Sequence, residues 1–128
     1  MEQDDRLHDV VMIGAGPSAL CAAVYTTRED INTILVEKGA GGGLAAITDW
    51  VDNYPGFSKG VSGLDLASEL QAQAERFGAD IRYGDVTGIK VDGDVKYVQT
   101  TDGTLKARAV LIATGKKKKK LGIPGEAE

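Results

Sequence analysis

The apolar positions of this chain change their spacing several times, and each change marks an element. Val10 to Ile13 is an unbroken apolar run, the pattern of a strand covered on both faces. It predicts a strand over Asp9 to Ile13. Leu20, Ala23, Val24 and Thr27 then recur at helical spacing, predicting a helix from Pro17 to Thr27. A second apolar run, Ile34-Leu-Val36, predicts a strand over Thr33 to Glu37. The glycines from Gly39 to Gly43 open a long irregular segment that runs to Gly60. Ser62 is a suitable N-cap for a second helix, Gly63 to Phe77, with Leu66, Leu70, Ala74 and Phe77 as its apolar stripe and Gly78 at its end. Ala79 to Tyr83 reads as a third parallel strand.

The period then shortens. Val86 to Val91, Val95 to Thr100 and Thr104 to Lys106 read as short strands separated by Asp92-Gly93-Asp94 and Asp102-Gly103, which are hairpin signals. This is a three-stranded antiparallel meander inserted after the parallel unit. Ala107 to Ala113 reads as a separate, final buried strand, and Thr114-Gly115 turns away from it. The expected architecture is α/β: a Rossmann-like parallel β-α-β sheet with flanking helices and an inserted meander. Residues 1–115 form the domain, and residues 116–128 form a basic linker.

The first strand-to-helix turn carries chemistry. It reads Gly14-Ala-Gly16-Pro17-Ser18-Ala19. Gly14 permits a tight turn, Gly16 lets backbone approach a pyrophosphate, and the small Ala19 lets the helix lie close to the sheet. Amides at a helix start attract an anion. Glu37 follows about 20 residues later, where a carboxylate accepts hydrogen bonds from a ribose.

Composition narrows the classes. The 128 residues are 42% hydrophobic and 27% charged, which fits a folded domain and excludes a disordered one. Glycine is abundant at 17, implying tight turns or close backbone–ligand approach. The net charge is −4. Five lysines from Lys116 to Lys120 mask a body of net −9, which argues against a nucleic-acid partner. No apolar run approaches the roughly 20 residues of a membrane span. The acidic N-terminus lacks an apolar core, so no secretory signal is expected. With one cysteine there is no internal disulfide, and a cytoplasmic location is expected.

Single residues read more plainly. Cys21 is expected as a small buried residue of the first helix. His8, the only histidine, is expected at the surface, and no metal site is expected. Trp50, Tyr54 and Phe57 suit three roles equally: shielding a ring, packing their loop, or lining a subunit interface. Asp49, Asp52 and Asp65 are explained by loop solvation and helix-start charge.

Four motifs together resemble the N-terminal FAD-binding part of low-molecular-weight thioredoxin reductases. They are Gly14 to Ala19; Gly42-Gly43 followed by Asp52-Asn-Tyr-Pro-Gly-Phe57; Ala113-Thr-Gly115; and Leu121-Gly-Ile-Pro-Gly-Glu126. The resemblance covers about Asp9 to Glu126. It implies that Gly14, Gly16, Pro17, Ser18 and Ala19 hold the FAD pyrophosphate. Glu37 binds the adenosine ribose and Lys38 flanks the adenine. Gly42 and Gly43 close over the ribityl chain and flavin, beside Leu44, which stands where the family commonly has glutamine. Thr48 and Asn53 supply polar contacts near the isoalloxazine. Val86, with Asp85 nearby, meets adenine through its backbone. Ala113, Thr114 and Gly115 pass close to the cofactor.

A complete family member also carries an NAD(P)H domain with a Cys-x-x-Cys pair, and passes electrons from NAD(P)H through FAD to a disulfide or another acceptor. Neither feature is in this sequence. The implied partner is a second copy or a complementary chain. Alternatively, the chain is a non-catalytic nucleotide-binding module or one subunit of a split flavoprotein.

Overall fold

The computed structural model describes residues 4–39, 46–116 and 121–125. The elements are β1 (Leu7–Ile13), α1 (Pro17–Arg28), β2 (Thr33–Glu37), α2 (Gly63–Arg76), β3 (Asp80–Tyr83), β4 (Val86–Asp92), β5 (Val95–Thr100) and β6 (Gly103–Ile112). All six strands belong to one sheet in the order β3-β2-β1-β6-β5-β4. The β3-β2-β1-β6 pairings are parallel, and β6-β5-β4 are antiparallel.

Three expectations change here. The third meander strand and the final strand are one strand, β6, and its last part is not buried: Leu111 is 38% and Ile112 65% exposed, because past Ala107 the strand adds only the half-buried Val110 to the second core cluster. Its first half pairs with β5, and from Lys106 it pairs with β1. Nothing between Lys106 and Ala107 breaks an extended backbone: there is no glycine, proline or turn residue. The meander is therefore a continuation of the parallel sheet.

His8 is also not at the surface. It lies within β1 and is 2% exposed. Its Nδ1 is 2.7 Å from Asn32 Oδ1, and its Nε2 is 2.9 Å from Asp4 Oδ2. Asp4 is also met by Arg6 and Arg82. Hydrogen bonds from Arg6 above all, then from Arg82 and His8, hold the Asp4 carboxyl far below the usual carboxylate range against the opposing effect of burial.

The core has two parts. On the helix side, Met12 and Leu35 of the sheet meet Ala19, Leu20 and Ala23 of α1 and Leu66, Leu70 and Ala74 of α2. On the other side, Val11, Ile34 and Val36 join Val98, Leu105 and Ala107. β1 and β2 thus contribute side chains to both clusters, which is why their sequences are unbroken apolar runs rather than alternating ones. Ser62 caps α2 by accepting from the Asp65 amide at 3.1 Å. Gly78, at φ +105°, follows its C-cap Phe77. Of the expected stripes, Val24 and Phe77 are only half-buried; Arg28 and Arg76 both lie against the Phe77 ring.

Candidate nucleotide site

The turn after β1 is held from both sides. Gly14 donates its amide to Val36 O at 2.8 Å, and Ala113 donates to Ile13 O at 2.9 Å. Gly14 has φ +114°, a conformation side chains rarely adopt. A Cβ there would run into the Ala113 carbonyl oxygen and lie 2.9 Å from its carbon. The end of β6 therefore leaves room only for glycine at this position.

Gly16 is the N-cap of α1 with ordinary extended backbone, and its carbonyl accepts from Leu20 N at 2.9 Å. Pro17 opens the helix, where the missing amide costs nothing. Unlike α2, this helix has no side-chain cap and no acidic residue in its first turn. Among the described residues no side chain caps its first amides, an arrangement that suits an incoming anion. Ser18 is exposed, and Ala19 is fully buried against the sheet as expected of the small residue there.

Glu37 closes β2. One carboxylate oxygen accepts from the Ala15 amide at 2.7 Å, and the other accepts from the Gly39 amide at 3.2 Å. Its backbone carbonyl accepts from Gly84 N at 2.9 Å, so the β3–β4 turn is tied to the same strand end. Across that junction Lys38 Nζ lies 3.9 Å from Asp85 Oδ2, both side chains being exposed. The Asp85 carbonyl in turn accepts from Thr101 N at 3.0 Å.

These strand ends enclose a cavity of about 160 Å³ lined by Ile13, Gly14, Val36, Glu37, Lys38, Gly84, Asp85, Val86 and Thr114. Six predicted site residues from four separate stretches meet there: Gly14, Glu37, Lys38, Asp85, Val86 and Thr114. Ile13, Val36 and Gly84 were not singled out from sequence. Their signal was adjacency, since each directly precedes a predicted residue at a strand end or turn. The cavity suits the adenosine end of a dinucleotide: apolar strand ends, one carboxylate for a ribose, and a glycine turn leading to a helix start.

Other predicted positions lie elsewhere. Gly115, at φ +77°, has open space around it. Thr48 is joined to the start of α2, its carbonyl accepting from Gly63 N at 3.0 Å. Asn53 lines a shallow groove formed by residues 52–58. Gly42, Gly43 and Leu44 lie outside the described residues.

A larger concavity of about 630 Å³ went unnoticed in the sequence. It runs between α1, α2 and the Tyr54–Phe57 loop, with Cys21, Val24, Leu66 and Leu70 along it. Tyr54 and Phe57 pack their loop onto the core, whereas Trp50 is 55% exposed and donates to Asp52 Oδ1 at 2.9 Å. Cys21 is half-buried rather than fully buried, and its Sγ lies 3.1 Å from Tyr54 Oη. That bond first, then burial, pushes the Tyr54 hydroxyl up to about 12. Helical spacing alone would have marked Cys21 and Tyr25 as neighbours on α1, but not that the Tyr54 loop reaches Cys21 while Tyr25 stays 72% exposed.

No group of three or more His, Cys, Asp or Glu among the described residues is arranged to hold a metal ion. No described helix is long and apolar enough to cross a membrane.

A parallel sheet with a glycine turn after its first strand, an acidic residue ending its second, and a cavity at those strand ends defines a dinucleotide-binding α/β domain. Residues 8–128 match the family model for pyridine nucleotide-disulphide oxidoreductases, and the chain belongs to that family. It is 43% identical over 126 residues to a thioredoxin reductase of Bacillus subtilis, covering 98% of this chain and 39% of that protein. Among solved structures, the thioredoxin reductase of Lactococcus lactis superposes with a TM-score of 0.87 at 40% identity, over 94% of this chain and 39% of the other. That of Streptococcus pyogenes gives a TM-score of 0.89 at 38% identity, over 97% and 40%. The chain thus spans about two-fifths of the length of these relatives.

Proposed function

We propose that this chain is the FAD-binding part of a thioredoxin reductase-like flavoprotein that passes electrons from NAD(P)H through FAD to a disulfide or another acceptor. One observation carries the reading: Gly14, Glu37, Lys38, Asp85 and Val86, far apart in sequence, line one cavity beside the uncapped start of α1. Gly14, Gly16, Ser18 and Ala19 would cradle the pyrophosphate with backbone, Glu37 would accept from the ribose, and the strand ends at Lys38, Asp85 and Val86 would flank the adenine. The bound FAD supplies the redox chemistry; the protein binds and orients it. With one cysteine in the sequence, a dithiol acceptor must come from elsewhere. A second copy or a complementary chain is a partner this reading accommodates, and a reducing cytoplasm is the compartment it suits.

The test is a visible absorption spectrum of the purified chain after incubation with FAD and gel filtration. A retained flavin spectrum is expected, lost in a Glu37→Ala, Gly14→Val double variant. Wild-type protein that passes the column colourless refutes self-sufficient FAD binding. The second reading is a nucleotide-binding module without its own catalysis, or one subunit of a split flavoprotein. Bound flavin that NAD(P)H fails to bleach without a complementary chain identifies that case.

A further inference from the structure

Glu37 does more here than wait for a ribose. We infer that its carboxylate is a clasp that sets the shape of the glycine turn before any nucleotide arrives, so that it is a positioning residue for the pyrophosphate as well as a ribose acceptor. This rests on the nucleotide reading above.

The geometry is specific. Ala15 is the middle residue of the Gly14–Gly16 turn, and its side chain and backbone are 1% exposed. Its amide points at the Glu37 carboxylate, 2.7 Å away and 22 residues distant in sequence. The other carboxylate oxygen takes the Gly39 amide at 3.2 Å, where the chain leaves β2. One side chain therefore joins the turn after β1 to the turn after β2. Among the described residues it is the side chain that gives the Ala15 amide an acceptor; without it a buried N–H would be left unpaired, a costly state.

Neighbouring bonds hold only the flanks of the turn. Gly14 N is fixed to Val36 O, and Gly16 O is fixed to Leu20 N. Among the described residues, the Ala15 amide between them has only Glu37. A carboxylate has about four lone-pair sites, so two amides leave capacity for two hydroxyl donors. The clasp therefore need not open when a ribose diol binds. The turn and the ribose site are set by the same group, and loss of that group weakens a ligand even where the ligand has no ribose hydroxyls.

The experiment compares wild type with Glu37→Ala and Glu37→Gln in two measurements. Amide hydrogen exchange is followed by NMR in the ligand-free chain, with Val51 N, bonded to Val61 O in the segment before α2 and not to Glu37, as the reference. Binding of ADP and of 2′,3′-dideoxy-ADP is followed by calorimetry. In Glu37→Ala the Ala15 amide is expected to exchange at least tenfold faster with Val51 unchanged, and dideoxy-ADP is expected to bind at least threefold more weakly. Unchanged Ala15 exchange overturns the clasp. So does a loss confined to ADP with dideoxy-ADP unaffected, because Glu37 would then read only the ribose.

If Glu37→Ala does not fold, Glu37→Gln decides. Its carbonyl keeps an acceptor for Ala15, but its NH₂ faces the Gly39 amide. Faster exchange at Gly39 with Ala15 still protected supports the clasp; no change at either amide refutes it. Wild-type protein that binds no ADP defeats the nucleotide reading alone, and the exchange rates still judge the clasp.

Discussion

Replacing Gly14 by alanine separates two costs that usually come together. Gly14 sits at φ +114° and Gly78 at φ +105°, so a Cβ at either position carries similar backbone strain, about 1–3 kcal/mol. The surroundings differ. Nothing lies within 4 Å of a Cβ built on Gly78, whereas one on Gly14 collides with the Ala113 carbonyl. Relief requires either Ala113 to move, loosening its 2.9 Å bond to Ile13 O, or Gly14 to move, loosening its 2.8 Å bond to Val36 O. Each such bond contributes about 0.5–1.5 kcal/mol, and a buried group left unpaired costs about 1–3 kcal/mol. Gly14→Ala should therefore destabilise by about 3–5 kcal/mol and Gly78→Ala by about 1–3 kcal/mol. For a domain of about 5–15 kcal/mol the first is a large fraction. Urea unfolding reads the difference: with m of about 1–3 kcal/mol/M, a gap of 2 kcal/mol moves the midpoint by about 0.7–2 M. Midpoints for the two variants within about 0.2 M of each other would refute the claim that the end of β6 sterically enforces glycine at residue 14.

Leu35→Ala removes a fully buried side chain from the helix-side core and should cost about 2–5 kcal/mol in the same urea assay. Asp4→Asn should destabilise the fold at neutral pH. Because Asp4 titrates far lower when folded than the usual value near 4, its contribution is complete above about pH 4 and fades as pH falls below it. The gap between wild type and Asp4→Asn in thermal melts should accordingly shrink on acidification, and a gap independent of pH down to 2 would count against the ion network. Tyr54 titrates at about 12 because Cys21 and burial favour its neutral form, so stability drawn from it is full below about pH 10 and is lost as pH rises through 12. Spectrophotometric titration should show one late tyrosine in wild type that ionises earlier in Cys21→Ala; an unmoved late component would argue against the Sγ–Oη contact.

Much of the architecture was legible because local signals agreed with the fold. The runs Val10 to Ile13 and Ile34 to Val36 announce buried strands because their side chains serve cores on both faces. Ser62 and Gly78 bracket α2 by cap chemistry that is local to the chain. The unity of β6 was hidden because a strand's partner does not show in its sequence. Lys106 and Ala107 look like a junction only when the apolar count is followed, and the hydrogen bonds change owner there without any kink. His8 was misplaced for a similar reason: a polar residue is buried only where partners exist, and although Asp4 stands four residues before it, Asn32 comes from 24 residues further along the chain. At the site, the glycine turn and Glu37 were legible from spacing. That Glu37 reaches Ala15, and that the residue 84–86 turn closes the same cavity, depends on tertiary placement.

The sheet order has a consequence in time as well as in space. β1 lies at the centre, between β2, which ends at Glu37, and β6, which ends at Ile112. Synthesis supplies the first neighbour early and the second roughly 75 residues later, about 4–15 s at common elongation rates. Throughout that interval one edge of β1 has no strand to bond, and its Val10–Ile13 portion is apolar. A bare, uncharged strand edge is a template for pairing with another chain. The nascent chain is therefore most vulnerable to misassociation between the completion of β2 and that of β6; α2 completes the helix-side half of the core within that interval, while the strand that will shield the centre is still unwritten.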